Sequence, residues 1–558
     1  MNIFKVFLSF IKDYKLTVII YFIITMLTFP LESVVIPQIY SNFFEIVNAN
    51  TPIETFVKYF LIILIFLIII NGSIILTEYI EAYMIPEFNE FIVNYIFKNL
   101  LYKYENSIKE IELGKLITRL SIIPHSLKEF ISDICTWILP RLFTILVINI
   151  YFFYLDWKLG LVSFILLCIY IFLCYKNFNK CSYLSNERHT LFEKKNEDTQ
   201  DKLINSFSIY SNGKLNKEIE NYELETNKYT NKFKDSMMCL NKANVYTTSM
   251  IIIIFISLNT IITYSFMKKK ITYNNLITAF IVIIYYMPCI WLINSTMPYL
   301  IHYYGTLESV DDFIKELYET DLLKNNEKTK LKNVINNGNI IINNLNFGYN
   351  NHSLFKNFYL TIKDKEKVAL VGSSGNGKSS LIKLIMGYYK VPNGTIFIDK
   401  IDINNFDLND LRSQISYVNQ SNKLFNTTLL ENIQYGNDKS KEEIIELCEK
   451  IGVYNIFKNL KNGLDTEVGI EGSNLSGGQR QLVHILRCIF KKNKIVILDE
   501  PTSAIDKDNT TNIIKAIKEL SNNCTLILIT HDSSLLGYVD RVITLDAGKI
   551  ISDEYKNK

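Results

Sequence analysis

Residues 372–380, "GSSGNGKSS", combine glycines, a lysine and hydroxyl side chains in the pattern G-x-x-x-x-G-K-[ST]. An apolar stretch, "VALV", precedes them and a helical pattern follows, which predicts a strand, a loop and a helix. Glycines let backbone N–H groups close around phosphates, the lysine reaches the β- and γ-phosphates, and the following hydroxyl ligates Mg²⁺. The segment predicts a site for ATP and Mg²⁺. Its nucleotide-binding residues are predicted to be Gly372, Ser373, Ser374, Gly375, Asn376, Gly377, Lys378, Ser379 and Ser380, with Ser379 also on the metal.

A second segment, "KIVILDEPTSAID" at 494–506, places two acids after four apolar residues that favour a strand. Asp499 at the strand end is suited to the Mg²⁺ shell. Glu500 follows directly and is placed to orient or deprotonate an attacking water. A pair of acids on a solvated strand end is the plainer alternative, but it fits poorly beside an apolar run and a phosphate loop.

A third segment, "EGSNLSGGQRQLVHIL" at 471–486, also has glycines and a hydroxyl at the start of a helical pattern, yet it lacks a lysine. It therefore resembles a phosphate-binding loop without the residue that reaches the outer phosphates.

The chain divides into two regions, an apolar one that comes first and a second one that contains these three segments. Hydrophobic residues make up 49% of the 558 residues, and before about residue 300 they fall in long blocks. A span needs about 20 mostly apolar residues. We predict six, at 16–42, 57–80, 132–154, 159–177, 245–267 and 275–298. We predict a transmembrane domain at 1–320, a polar linker at 321–338 and an α/β P-loop ATPase domain at 339–558.

The loops between the spans alternate in size, and the long ones, 81–131 and 178–244, are polar with a helical pattern. Because they hold most of the basic residues, we place them, both termini and the ATPase domain in the cytosol of a multi-pass protein. The lysines at 268–270 oppose this orientation, because they fall in a short loop that must then be external, but the lysines of the two long loops outweigh them. Each long loop has a turn-like break, at 103–114 and 205–216. Residues 1–15 fit an amphipathic helix along the membrane surface.

Charge and cysteine content exclude several classes of protein. The net charge of +3 is too small to argue for a nucleic-acid partner. The nine cysteines form neither a C-x-x-C pair nor a Cys/His cluster, so we expect reduced structural thiols rather than a metal site or disulfide framework.

In order and spacing the three motifs resemble those of ATP-binding cassette (ABC) transporters, of the exporter type in which one membrane domain precedes one ATPase domain. Further short matches extend the resemblance: "NFGYN", "ISYVNQ", "SAID" and "LILITHD". The resemblance implies that Tyr349 stacks on adenine, that Gln420 contacts Mg²⁺ and takes part in catalysis, and that Asp506 lies at a dimer interface. It also implies that His531 contacts the γ-phosphate.

The family resemblance also implies a dimer in which the loop at 476–479 completes the partner's ATP site. Its contacting residues would be Ser476, Gly477, Gly478 and Gln479. A homodimer is the simpler case because this chain carries a complete catalytic set; a heterodimer is the alternative. Two residues depart from the family pattern: Ile470 stands where an acid is usual, which affects an interdomain coupling contact, and Leu482 replaces a frequent arginine, with an expected effect on packing alone.

The resemblance implies ATP-driven export of a lipid, peptide or other amphipathic solute by alternating access. Motifs do not encode direction, so an importer on the same fold is an alternative, as is an ATP-regulated channel. A soluble cassette ATPase acting on nucleic acid is contradicted by the six spans. Polar residues in the predicted spans are Glu32, Asn71, Arg141, Asn149, Asn259 and Asn294. Glu32 and Arg141 are candidates to line a substrate cavity or to pair with each other.

Overall fold

The computed structural model describes residues 3–46, 52–105, 113–326, 333–349, 352–373, 375–419, 423–502 and 507–556. They form two compact units, one built mainly from residues before Asn326 and the other mainly from Asn326 onward. Among the described residues, the first unit is helical. Its helices are α1 (Ile3–Asp13), α2 (Lys15–Pro30), α3 (Ile36–Ile46), α4 (Ile53–Glu105), α5 (Leu113–Ser132), α6 (Leu139–Leu155), α7 (Trp157–Ile204), α8 (Ser206–Ser211), α9 (Leu215–Met267), α10 (Tyr273–Ser309) and α11 (Asp311–Asn326).

The six predicted spans are confirmed as helices long and apolar enough to cross a membrane. They are Lys15–Phe44, Ile53–Glu105, Leu116–Leu155, Trp157–Ile204, Leu215–Met267 and Tyr273–Ser309. Helices α4 and α9 have 53 residues each and α7 has 48, far more than the roughly 20 that a bilayer requires. The long helical extensions predicted beyond the membrane are therefore present.

The turn-like break predicted at 205–216 is confirmed as the short helix α8. Its flanks are fixed locally: Asn205 donates to the carbonyl oxygen of Asp201, and Gly213 adopts a φ of 62° that favours glycine. The break predicted at 103–114 lies largely outside the described residues.

Two π-helical segments, Leu31–Val35 and Asp133–Ile138, interrupt the first and third spans. The first follows Pro30, which has no N–H to donate to the helix ladder. Glu32 lies inside this segment. Because π-helical turns occur often at functional sites, this part of the first span is a candidate functional segment.

The expectation that all cysteines are reduced thiols is wrong for two of the nine. Cys181 on α7 and Cys239 on α9 form a disulfide, with their Cα atoms 5.7 Å apart. The two residues are 58 positions apart in the chain, and only the antiparallel packing of α7 on α9 brings them together. The other seven cysteines are free.

The intramembrane polar residues mostly find partners within the first unit. Asn71 and Asn259 donate to the carbonyl oxygens of Leu67 and Phe255 on their own helices, at 2.8 and 2.7 Å. Asn149 donates to the hydroxyl of Tyr286 at 3.2 Å. Asn294 donates to Asn244 at 2.8 Å.

Arg141 and Glu32, the two candidates for a cavity, lie within electrostatic range of each other. The Arg141 guanidinium lies 3.6 Å from the centroid of the Phe29 ring and donates to the carbonyl oxygen of Thr136. Arg141 is therefore held by an aromatic face and a backbone oxygen.

The second unit is an α/β domain. Its strands are β1 (Ile340–Tyr349), β2 (His352–Ile362), β3 (Lys367–Val371), β4 (Ile396–Ile398), β5 (Ile401–Asp402), β6 (Ile415–Val418), β7 (Ile495–Asp499), β8 (Thr525–Ile529), β9 (Arg541–Asp546) and β10 (Lys549–Tyr555). Its helices are α12 (Lys378–Ile385), α13 (Leu408–Ser413), α14 (Leu429–Gln434), α15 (Lys441–Ile451), α16 (Tyr454–Lys458), α17 (Gly477–Lys491), α18 (Lys507–Leu520) and α19 (Ser533–Leu536).

The strands form an antiparallel sheet, β2-β1-β4-β5, and a six-stranded sheet, β10-β9-β3-β8-β7-β6. In the larger sheet β3, β6, β7, β8 and β9 run parallel, so the loops that follow them lie at one edge. Both faces of β7 and β8 are buried, as their continuous apolar runs require. One apolar core lies on each side of the sheet.

Candidate nucleotide-binding site

The glycine-rich loop leads from β3 into α12 as predicted. Gly372 and Gly377 have φ values of 150° and 93°. A Cβ atom on Gly372 would lie 2.2 Å from the carbonyl oxygen of Leu545, and one on Gly377 would lie 2.9 Å from the ring of Phe355. Both positions therefore require glycine, and the loop leaves its backbone N–H groups at the start of α12, where an anion binds favourably.

Lys378, the first residue of α12, folds its ammonium group back over the loop. It is 6% exposed and donates to the carbonyl oxygens of Gly372 and of Ser373, the latter at 2.9 Å. Burial lowers the pKa of Lys378, whereas the carboxylates of Glu500 and Asp499 act in the opposite direction. The lysine thus lies inside the loop that the sequence assigns to phosphates.

Ser379 and Asp499, the two predicted metal ligands from separate segments, are in direct contact. The Ser379 hydroxyl donates to Oδ2 of Asp499 at 3.1 Å. Asp499 is 4% exposed at the end of β7, and burial raises its pKa, while the hydrogen bond from Ser379 opposes this shift. A hydroxyl and a buried carboxylate side by side are the oxygen donors that Mg²⁺ accepts.

Glu500 and His531 meet across neighbouring strands. Asp499 pairs with Ile529, so the residues that follow β7 and β8 emerge together. Oε1 of Glu500 lies 3.9 Å from Nε2 of His531, and the backbone of Glu500 adopts a φ of 48°. Such a left-handed conformation costs energy for a residue other than glycine and is found often at active sites.

Thr502 and Asp532 complete this region, although the sequence did not single them out. The Thr502 hydroxyl donates to Oδ2 of Asp532 at 3.1 Å. Hydrogen bonds, chiefly from the Ser534 side chain, lower the pKa of Asp532. A cleft of about 280 Å³ is lined by Glu500, Thr502, Thr530, His531 and Asp532. Their positions next to the two predicted catalytic residues were the only signal in the sequence.

Tyr349, the predicted adenine-stacking residue, lies at the end of β1 and is 37% exposed. Its hydroxyl donates to Oγ of Ser380 at 3.0 Å, which connects it to the start of α12. Its ring contacts the rings of Phe347 and Tyr389 edge-on, at 5.1 and 5.5 Å. Tyr389 is a second aromatic residue here that the sequence did not indicate.

The segment at 476–479 forms the start of α17. Ser476 caps the helix by accepting from the backbone N–H of Gln479, whose side chain accepts from the backbone N–H of Ser476 at 2.8 Å. Ser476 is exposed, Gly477 half-buried and Gly478 buried. Within the described part of the chain, none of the hydrogen bonds of this segment reaches the chain's own glycine-rich loop. The helix start is thus available to a ligand from outside.

The two departures from the family pattern also have a structural outcome. Leu482 is 1% exposed and packs in the apolar core. Ile470 is 73% exposed, and the neighbouring Glu471 pairs with Lys423 at 2.5 Å. The predicted Ser374, Gln420 and Asp506 lie outside the described residues.

The first unit has six candidate membrane-spanning helices. The second unit has a phosphate-binding loop, an acidic strand end and a capped glycine segment. Together these features define an ATP-binding membrane protein. Residues 15–288 match the family model of the ABC transporter transmembrane region, and residues 355–503 match that of the ABC transporter. The chain belongs to the ABC transporter superfamily, with the exporter arrangement of a membrane domain ahead of its nucleotide-binding domain.

Relatives and solved structures agree with this assignment. An ATP-dependent lipid A-core flippase of Francisella tularensis subsp. tularensis (strain FSC 198) is 35% identical over 216 residues, which are 38% of this chain and 36% of that protein. The heterocyst differentiation ATP-binding protein HepA of Nostoc sp. is 29% identical over 445 residues, which are 78% of this chain and 71% of that protein. The structure of a bacterial Atm1-family ABC exporter with ATP bound matches with a TM-score of 0.83 at 20% identity. The match covers 98% of this chain and 96% of that chain. The match to the flippase thus spans about a third of its length, and the likeness to the Atm1-family structure shows the fold.

Proposed function

We propose that the protein is an ATP-driven exporter of a lipid, peptide or other amphipathic solute, which works as a dimer by alternating access. The observation that carries this proposal is the convergence of Lys378, Ser379, Asp499, Glu500 and His531 at one edge of the parallel sheet. A regulatory membrane protein without steady turnover would not need all five.

We assign each predicted site residue a role. Lys378 and the loop N–H groups hold the phosphates of ATP, and Tyr349 stacks on its adenine. Ser379 and Asp499, with Gln420, would hold Mg²⁺, which neutralises charge on the phosphates when bound. Glu500 takes the proton of the attacking water, and His531, 3.9 Å from Glu500, contacts the terminal phosphate.

The capped segment at 476–479 supports a dimer, most simply of two identical chains. Its N–H groups form the start of a 15-residue helix, a site that attracts anions, yet it has no lysine. In the proposed dimer, Ser476 and Gly477 close over the nucleotide of the partner chain. ATP then favours the closed state because it contacts both chains there and one chain in the open state.

The exposed apolar side chains around α8 support coupling between ATP hydrolysis and movement of the membrane-spanning helices. Ile204, Phe207 and Tyr210 are 71%, 82% and 65% exposed, which suits docking on another protein surface. The spans place the protein in a membrane, and we propose that the nucleotide-binding domain and both termini are cytosolic. The lipid option follows from the flippase relatives, of which the match covers about a third of the length.

The test is Glu500→Gln in purified protein reconstituted in lipid. We expect ATP hydrolysis to fall at least about 100-fold, because a positioned base contributes roughly 10²–10⁴-fold. Binding of a fluorescent ATP analogue should be retained. Glu446→Gln, on the exposed face of α15, is the matched control and should hydrolyse ATP normally. Wild-type hydrolysis by Glu500→Gln would overturn the assignment.

A further inference from the structure

The side chain of Asn376, in the middle of the glycine-rich loop, contacts a hairpin near the end of the chain. The two hydrogens on its Nδ2 are shared among three oxygens, which are Oγ of Ser373 at 2.9 Å, the carbonyl oxygen of Leu545 at 3.0 Å and Oδ1 of Asp546 at 3.1 Å. Its Oδ1 accepts from the backbone N–H of Ala547 at 3.4 Å. Both ends of one amide therefore join the loop to residues 169–171 positions later in the sequence.

The hairpin that receives this amide is the tight turn between β9 and β10. Asp546 pairs with Lys549, and the two residues between them, Ala547 and Gly548, have φ values of 43° and 74°. Two positive φ values in a two-residue loop are typical of a type I′ turn. A Cβ atom on Gly548 would lie 1.7 Å from the carbonyl oxygen of Leu354, on β2. The turn is therefore packed against β2 as well as against the glycine-rich loop.

The loop has a second attachment, which the nucleotide competes for. Lys378 donates to the carbonyl oxygens of Gly372 and Ser373. An ammonium group that turns to the phosphates of ATP, as the motif predicts, gives up these carbonyls. The bonds between Asn376 and the turn involve a side-chain amide and turn atoms that the motif does not assign to phosphates. They can therefore hold the loop both before and after ATP binds.

We propose that Asn376 is a positioning residue, which fastens the phosphate loop to the β9–β10 turn so that the loop has its binding shape before ATP arrives. Asp546 and Ala547 are its partners in the turn. A binding loop that is already ordered loses less conformational freedom when its ligand binds. Asn376 thus raises ATP affinity through the loop backbone, without touching the nucleotide. This effect on affinity rests on the proposed function of the site, so one part of the test uses no nucleotide.

The first part of the test measures ATP hydrolysis by the full-length protein in lipid over a range of ATP concentrations. Asn376→Ala removes the amide, and Asp546→Ala removes one of its acceptors, at a residue outside the predicted nucleotide site. Because single hydrogen bonds have modest net strength, we expect KM for ATP to rise about three- to tenfold in each variant, with kcat changed less than about twofold. The double variant should resemble Asn376→Ala, because the two side chains act as one unit.

Two further variants separate the hydrogen bond from the charge of Asp546. Asp546→Asn keeps an oxygen that can accept from Asn376 and should retain the KM of the unaltered protein. Glu554→Ala removes an exposed acid from the same hairpin, on β10, and should also retain it. A KM that rises in Asn376→Ala but not in Asp546→Ala would overturn the proposal and assign Asn376 to direct contact with the nucleotide.

Hydrogen exchange without nucleotide tests the fastening of the loop by itself. In Asp546→Ala, the backbone N–H groups of the peptide around Asn376 should exchange faster than in the unaltered protein, because the loop is held less firmly. Glu554→Ala should leave their exchange unchanged. Equal exchange in Asp546→Ala and the unaltered protein would overturn the proposal. If exchange increases as expected while Glu500→Gln hydrolyses ATP normally, the proposed catalytic role of Glu500 fails and the fastening of the loop stands.

Discussion

The Ser379 hydroxyl donates a hydrogen bond of 3.1 Å to Asp499, which joins the start of α12 to the end of β7. The two residues are 120 positions apart in the chain, and the parallel pairing of β3, β8 and β7 brings them together. The candidate nucleotide site is therefore assembled by the sheet itself.

Asp499→Asn should stabilise the protein at neutral pH in the absence of nucleotide. Burial raises the pKa of Asp499, so holding it ionised above that pKa costs folding free energy. The amide keeps an oxygen that can accept from Ser379. We expect a rise in the thermal unfolding midpoint of roughly 2–4 °C, together with loss of the stabilisation by Mg²⁺ and ATP.

Differential scanning fluorimetry with and without Mg²⁺ and ATP measures both effects. Asp438→Asn, at an exposed position of the same domain, is the control and should leave the midpoint unchanged. A lower midpoint in Asp499→Asn without nucleotide would show that the carboxylate is a net stabilising group.

Asp553→Asn should destabilise the protein at neutral pH but not in acid. Arg541 donates to both oxygens of Asp553, at 2.6 and 2.7 Å, and this hydrogen bonding lowers the pKa of Asp553. The ionised pair thus contributes stability above the usual aspartate pKa of about 3.9, and the contribution is lost as the pH falls through the native pKa.

Unfolding midpoints of the unaltered protein and Asp553→Asn between pH 7 and pH 3 check this linkage. The difference between the two unfolding midpoints should become smaller as the pH falls below about 4. A gap that stays constant over this range would mean that the loss comes from packing rather than from charge.

The disulfide between Cys181 and Cys239 should be detectable without any functional assay. Digestion under non-reducing conditions should give one linked peptide, and seven cysteines should react with a thiol reagent in the denatured protein. Cys181→Ser should lower the free energy of unfolding by about 2–4 kcal/mol relative to the oxidised protein, because it frees a long loop in the unfolded chain.

Cys168→Ser provides the control, since Cys168 is exposed and free on the same helix. After reduction, the unaltered protein and Cys181→Ser should unfold alike. Nine reactive thiols in the unreduced protein would contradict the pairing.

The candidate nucleotide site could be located from the sequence because the motifs that define it are local. Gly372, Lys378 and Ser379 lie within eight residues, and Asp499 and Glu500 are adjacent, so the spacing itself encodes the geometry. The number of spans followed from length and hydropathy in the same way.

Contacts that depend on packing between distant segments could not be predicted. The pairing of Cys181 with Cys239 requires the register of α7 on α9, which periodicity does not reveal. The pair formed by Tyr21 and Glu81 likewise requires α2 to lie beside α4. The π-helical segment Asp133–Ile138 is followed closely by Pro140, which the sequence analysis did not single out.

The central claim is that the segment at Ser476 serves the ATP site of a partner chain. It is tested by mixing two inactive chains. Lys378→Ala removes the phosphate-binding lysine, and Ser476→Arg blocks the start of α17, so neither variant alone should hydrolyse ATP.

In a mixed dimer, the intact loop of the Ser476→Arg chain faces the intact segment of the Lys378→Ala chain. Mixed dimers isolated through two different affinity tags should regain roughly half of the wild-type ATP hydrolysis if the two sites act independently. If each site used the segment of its own chain, both sites would stay defective. Mixed dimers as inactive as the two parents would contradict the account.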